Sequence, residues 1–325
     1  MASAPGDWRP SASFEVLRAR AHLLAAIRAF FDRAGVLEVD TPALSTHTGT
    51  DPALEPLSTR LGGGNRFLHT SPEFPMKRLL AAGSGDIYQI CKVFRDGERG
   101  RLHNPEFTLL EWYRLGFDHH RLMDEVESLA RQLLGDAAGD GSAQRLSYAE
   151  AFQQHLAIDP HRASREELRG CALDMGIAGA AELDLPGRDA WLDLLLSHRI
   201  EPELGRGRMT FLYDYPASQA ALARLRPGDP PLAERFELYM AGIEIANGFH
   251  ELADAAEQRR RFEADQAQRR AHGRAELPVD EYLLAALEQG LPECAGVALG
   301  VDRLLMIATH ARSIDQVLAF PAERA

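Results

Sequence analysis

The sequence predicts an α+β fold, an antiparallel sheet flanked by helices and interrupted by one helical insertion. Three observations carry this. An apolar stripe of helical period runs through Leu17, Ala21, Leu24, Ile27 and Phe31. Two long alternating segments joined by a polar loop follow, and then the pattern turns helical over about 118–206. With 325 residues, 45% hydrophobic and 26% charged, the chain has an ordinary globular balance and can bury a large core.

Taken in order, residues 1–12 are rich in Pro, Ala and Ser and read as a flexible tail. A helix starts near Ser13 and stops at Gly35. Residues 36–41 then alternate as a strand until Pro42 ends the ladder. Residues 67–73 read as a strand ending at Glu73. In 86–95, Ile87, Gln89, Cys91, Val93 and Arg95 share one face; in 106–114, Phe107, Leu109, Glu111 and Tyr113 share one. Joined by the polar loop 96–105, these two strands make a long hairpin. Within the helical insertion, Ser147-x-x-Glu150 and Ser164-x-x-Glu167 are capping boxes that open short helices. Strand patterns return at 210–215 and 235–249. A charged segment at 256–272, a helix at 280–289 and a strand-to-helix unit at 296–308 complete the chain.

Composition excludes several functions. The net charge of -12 disfavours nonspecific binding to a nucleic acid backbone. Cys91, Cys171 and Cys294 are far apart, so disulfide frameworks and cysteine-based zinc sites lose support. No leader pattern and no membrane-length apolar run occurs, which suits a reduced cytoplasmic compartment. There is no P-loop, and no GxGxxG follows a strand. His250-Glu251-Leu252-Ala253-Asp254 has Asp where a metalloprotease needs its second imidazole. His119 and His120 project differently from a helix and read as solvated.

Two acidic sets remain. Glu237 and Glu244 flank Met240-Ala241-Gly242, a plausible turn that sets them roughly opposite each other. Like charges so placed repel, by up to about 1 kcal/mol. A divalent cation between them reverses that sign; the plain alternative is two acids on a solvated face. Glu73, Glu111 and Glu251 lie near Tyr113 and Phe107 or the run Asn247-Gly248-Phe249-His250, and suggest a pocket for a cationic ligand. Arg95 could then hold a phosphate or carboxylate.

These segments resemble class II aminoacyl-tRNA synthetases. The first helix and strand to Pro42, the stretch Phe94-Arg95 to Phe107, and Gly296-Val-Ala-Leu-Gly-Val-Asp-Arg303 are similar to that class's motifs 1, 2 and 3. His103-Asn-Pro-Glu-Phe-Thr-Leu-Leu-Glu-Trp-Tyr113 and Glu244-Ile-Ala-Asn-Gly-Phe-His-Glu-Leu252 look like the lysine-specific branch. The resemblance runs over about 13–323 and implies a class II sheet, with the insertion between motifs 2 and 3. It is closest to paralogues lacking the anticodon-binding domain, so one catalytic domain, 1–325, is expected. Those paralogues adenylate (R)-β-lysine with ATP, use α-lysine poorly, and pass the lysyl group to a lysine side chain of elongation factor P.

The resemblance also implies roles. Arg95, with Asp96 and Gly97 beside it, is expected at the α-phosphate, and Phe107 under the adenine. His103 and Asn104 fall near the nucleotide and Ile245 near the adenosine. Glu237 and Glu244 hold Mg²⁺, with Glu244 also counted to the ATP site. Gly300 permits close approach, and Arg303 clamps the γ-phosphate. Ser71, Pro72, Glu73, Glu111, Tyr113, Asn247, Glu251 and Ala298 form the amino-acid pocket. Arg95 and Arg303 are the catalytic pair, stabilising charge as adenylation proceeds. A homodimer is implied through motif 1, with no membrane and no tRNA partner. Two departures stand out: Gly97 replaces the usual motif-2 glutamate, with Glu98 one position later, and Ala298 replaces a glycine. The rival readings are a truncated lysyl-tRNA synthetase acting on tRNA, for which the arginines of 259–270 speak, and a non-catalytic binding paralogue.

Overall fold

The computed structural model describes residues 8–325. Along the chain it forms α1 (Phe14–Arg33), β1 (Leu37–Glu38), β2 (Leu44–Ser45), β3 (Ser58–Leu61), β4 (Gly64–Leu68), α2 (Glu73–Ala81), β5 (Ile87–Phe94) and β6 (Glu106–Leu115). The insertion supplies α3 (His119–Leu134), β7 (Gln144–Ser147), α4 (Tyr148–Leu156), α5 (Arg165–Asp174) and α6 (Asp189–Leu195). Then come β8 (Thr210–Pro216), β9 (Leu225–Arg226), β10 (Leu232–Met240) and β11 (Ile243–His250). The last elements are α7 (Ala255–Ala271), α8 (Glu281–Gly290), β12 (Cys294–Gly300) and α9 (Val301–Thr309).

The chain divides into two compact units. One combines the chain up to Phe117 with Gln132–Ala137 and Ala253–Ala325; the other combines Asp118–Arg131 with Ala138–Leu252. In the first, β1, β5, β6 and β12 lie side by side in that order, and β2, β4 and β3 make a small separate sheet. The β5–β6 hairpin is antiparallel, as its alternation predicts, and β12 runs antiparallel to β6. β1 is a correction: only two residues of 36–41 form a strand, and they pair with β5 in parallel. The apolar stripe of α1 is also rotated from expectation. Leu23, Ile27 and Phe31 are its buried residues, whereas Ala21 is exposed. The cause is polar: Arg20 is drawn inward to the buried Asp302 at the start of α9. Phe31 completes the packing by stacking on Tyr88 at 4.4 Å and meeting Trp112 edge-on.

Residues 9–12 of the expected tail are fastened to the C-terminal segment. Ser11 and Ala12 donate backbone hydrogen bonds to Ala319 and Leu318, and Arg324 reaches back to Ser11 and Arg9. Residues 1–7 lie outside the described residues.

In the second unit, β11, β10, β8 and β7 form the ordered path, with β9 also on β10 and the β7–β8 pair parallel. Both capping boxes are present and open α4 and α5. Tyr148, Phe152, Leu168, Trp191 and Leu195 from these helices pack with Leu212, Tyr215 and Tyr239 from the sheet into one core. Among the described residues, no helix is long and apolar enough to cross a membrane.

Candidate active site

The β5, β6 and β12 register builds a face in the first unit. Gln89, Glu111 and Ala298 are successive cross-strand partners, and so are Ile87, Tyr113 and Gly296, then Cys91, Leu109 and Gly300. Partners share a face, so the acid and the phenol expected in the amino-acid pocket stand beside one alanine and two glycines. Glu111 is 2% exposed. Tyr113 donates its hydroxyl to one carboxylate oxygen at 2.7 Å, and Ser71 donates to the other at 2.7 Å. The two hydroxyls orient the carboxylate. Its field is felt nearby: burial, and then Glu111, push the Cys91 thiol up to about 12.

Ser71 and Glu73 reach this face by a route the alternation concealed. The strand ends at Leu68, and Glu73 is the first residue of α2 rather than the last of a strand, with Pro72 just before it. Proline tolerates a helix start and has no N–H to lose there. Ser71 Oγ accepts from the Glu73 backbone N–H at 3.0 Å, tying the two pocket residues together. One helical turn on, the buried Lys77 donates to Glu73 at 2.6 Å. Lys77 was not singled out, because a strand reading hides an i,i+4 pair.

The motif-2 residues gather at the end of the hairpin. Arg95 lies over the Phe107 ring with its guanidinium 5.0 Å from the centroid, and its Nε donates to the Thr70 carbonyl at 3.3 Å. Glu98 stands 3.5 Å from Arg95, an ion pair within the loop. Gly97 has φ +74°, a left-handed conformation that glycine adopts readily and glutamate does not. Asp96 accepts from the Gly97 N–H at 2.8 Å. On the far side of the loop, Arg303 donates to His103 Nε2 at 2.8 Å. Partial withdrawal from solvent, and then Arg303, hold the His103 pKa below 6.5. Asn104 is buried and structural in its contacts, donating to the Glu106 carbonyl at 2.6 Å and accepting from Ala322.

The remaining expected residues belong to the second unit. The hairpin turn is Ala241-Gly242 alone, both at positive φ (50° and 72°), rather than the three residues expected. A backbone atom of Pro202 would stand 3.2 Å from a Cβ at Gly242, so glycine is required on both counts. The register therefore differs from expectation: Glu237 meets Asn247 and Glu244 meets Tyr239, with an irregularity beyond Leu238. The two acids are diagonal, not opposite. Glu237 is also occupied. Arg235 pairs with Oε1, while Tyr215 and Tyr239 each donate to Oε2 at 2.6 Å. A carboxylate offers about four lone-pair positions, so three are filled and one positive charge is already there. Glu237 does not fit as an open ligand for Mg²⁺. The phenols respond in kind: burial, and then Glu237, raise both tyrosines well above their usual range. Glu244 is half-buried, and Arg235 feels its charge after that of Glu237. Ile245 is buried beside it, Asn247 accepts from Arg235 at 3.3 Å, and Glu251 is 3% exposed. Arg235 and Glu237, two apart on a strand, are the i,i+2 signal that reading the acids alone missed.

The arginines of α7 are paired within their own unit. Arg259 holds Glu281, Arg260 and Arg261 hold Glu257, and Arg270 holds Glu276. Arg269 is fully buried, bound to Glu55 and to backbone carbonyls of Asp51, Leu54 and Ala275.

Arg95, just past β5 and over Phe107, and Arg303, in the first turn of α9, are thus two guanidiniums set around the motif-2 loop. The chain matches the tRNA synthetases class II (D, K and N) over residues 6–324 and belongs to that family. It is 53% identical over 325 residues to the elongation factor P–(R)-β-lysine ligase of Vibrio cholerae serotype O1, covering 98% of this chain and 99% of that one. Against the protein of the same name from Klebsiella pneumoniae subsp. pneumoniae it is 50% identical over 329 residues, covering 99% and 100%.

Proposed function

We propose that this chain uses ATP to adenylate (R)-β-lysine and transfers the β-lysyl group to a lysine side chain of elongation factor P. The observation that carries the reading is Glu111, a buried carboxylate oriented by Ser71 and Tyr113 on the strand that also carries Phe107, over which Arg95 lies. A buried acid held by hydroxyls suits an ammonium group of a diamino acid, and an arginine over an aromatic ring suits a purine and its phosphate. The near full-length identity to ligases of that name supports the substrate and the acceptor.

In the proposed reaction, a carboxylate oxygen of the amino acid attacks the α-phosphorus in line, and the bond to the pyrophosphate oxygen breaks. Arg95 stabilises the charge that builds on the α-phosphoryl oxygens, and Arg303 neutralises the departing γ end. Phe107 supports the adenine, and Gly97, His103 and Asn104 shape the loop around the nucleotide. Glu111 and Tyr113, with Ser71 beside them, hold an ammonium group of the amino acid. The acceptor amine then attacks the acyl carbon, AMP leaves, and the amine loses a proton. Positioning and electrostatics supply most of the rate. The Ala298 methyl, across from Glu111, narrows the pocket at the α-carbon end.

Pyrophosphate exchange into ATP, run with (R)-β-lysine and with α-lysine, tests the first step. Exchange that depends on the β isomer, with α-lysine weaker, is expected; exchange with neither excludes an adenylating enzyme. A homodimer and a cytoplasmic setting are part of the proposal.

A further inference from the structure

We propose that the second unit carries a zinc site, formed by His119, Glu234 and His250 with Asp214 as fourth ligand. Each of the first three offers one ligand atom, and these atoms lie within 4.8 Å of one another. They come from three elements: His119 from the first turn of α3, Glu234 from β10 and His250 from the end of β11.

His119 supplies the second, independent observation. It is 2% exposed, yet neither ring nitrogen has a hydrogen-bond partner among the described residues. A buried imidazole left so is costly unless something else satisfies it. Its Nε2 stands 3.6 Å from Asp214 Oδ1, beyond hydrogen-bond reach, and that oxygen also has no hydrogen-bond partner. Two ligands on a tetrahedral zinc with bonds of about 2.0–2.1 Å stand about 3.4 Å apart, so this edge already has the right length. Asp214 is held at φ +59°, a strained backbone for a residue within a strand, and such strain persists where it aims a side chain. His250 Nδ1 lies 2.6 Å from Glu234 Oε2; zinc would take the place of the proton between them, and the neutral ring would then carry its proton on Nε2, from which Arg224 turns away. Closing the triangle needs shifts of about an ångström, within the reach of side-chain rotation.

The charges around the cluster permit a dication. Asp118 caps α3 beside His119, and Asp214 and Glu234 add two more carboxylates. Arg226 pairs with Asp214 Oδ2 at 2.6 Å and lies 3.9 Å from Glu234; Arg224 is 3.4 Å from His250 Nε2. Asp118, Asp214 and Glu234 supply the carboxylates that would balance a dication beside these guanidiniums. The His120 ring packs 4.1 Å from that of His119. Two imidazoles select a borderline-soft ion over Mg²⁺ or Ca²⁺, which take oxygen ligands. A closed His₂-carboxylate set is structural rather than catalytic, and it would pin α3 to β8 and the β10–β11 hairpin.

The test is zinc content and cobalt spectroscopy on the full chain, dialysed against micromolar metal. One zinc per chain is expected, and the cobalt form should show the intense visible bands of a four-coordinate site. His119→Ala and His250→Ala should each weaken binding by more than about 100-fold, beyond the cost of losing an outer-shell partner. His120→Ala serves as the neighbouring control and should bind as the wild type does. Because His119→Ala could unfold, the wild-type cobalt spectrum stands as an independent readout. A wild-type chain that retains no metal, or stoichiometric binding unchanged in both histidine variants, overturns the site.

Discussion

Glu111 in the first unit and Glu237 in the second are both buried strand carboxylates, and their donors separate them. Glu111 is held by the hydroxyls of Ser71 and Tyr113, each at 2.7 Å. Glu237 is held by two tyrosine hydroxyls and, in addition, by the Arg235 guanidinium. A hydroxyl aims a carboxylate; a guanidinium also offsets its charge. The lesson is that burial alone does not mark a substrate-binding acid. The sign of the donors that hold it does.

Mutations can break this contrast, and the largest effect is expected at Glu237. Removing one partner of a buried ion pair strands the other charge, at a cost of about 3–5 kcal/mol. Glu237→Ala should therefore lower the melting temperature sharply, while Glu111→Gln should leave it close to wild type. In exchange assays Glu111→Gln should instead raise the KM for β-lysine about 10- to 100-fold, as loss of a charged hydrogen bond does. If Glu237→Ala folds normally and changes only the magnesium requirement, the assignment of the two acids is reversed.

Arg95→Ala comes next. Loss of one donor to a developing oxyanion costs about 10²- to 10³-fold in turnover, so pyrophosphate exchange should fall by that factor at saturating ATP. A change confined to the KM for ATP would make Arg95 a ground-state binder only. Smaller is Ala298→Gly: one methyl is worth about 0.8 kcal/mol, or roughly fourfold, and the ratio of α- to β-lysine use should rise by that amount. An unchanged ratio removes Ala298 from the specificity argument.

The smallest effect should appear at acid pH. The His103 pKa is depressed below 6.5, so the imidazole is neutral at pH 7 and accepts from Arg303. A depressed histidine loses its neutral form only as pH falls, and protonation then sets two cations together. The KM for ATP should rise on the acid limb alone, and His103→Gln should flatten that limb. An acid limb identical in the variant would assign it to another group.

Much of the first unit was legible because its signals are local. Alternation over 87–94 and 106–115 places Glu111 and Tyr113 on one face, and the register then adds Ala298 and Gly300. The capping boxes at Ser147 and Ser164 are equally local, three residues from donor to acceptor. What the sequence concealed depends on pairs distant in the chain or on backbone choice. Period-2 alternation through 67–73 cannot reveal that Pro72 starts a helix at Glu73. The hairpin register turns on one residue, since a two-residue turn at Ala241-Gly242 slides Glu244 away from Glu237. His119 read as solvated, yet it is buried, because the groups that surround it lie on β8, β10 and β11, about a hundred residues away or more.

The proposed reaction is a two-step transfer that ends on a protein. Labelled (R)-β-lysine and ATP, offered with purified elongation factor P and bulk tRNA in parallel, test it most directly. Label is expected on elongation factor P, resisting mild alkali as an amide should, and none on tRNA. Label on tRNA as an alkali-labile ester, with elongation factor P unlabelled, would contradict it.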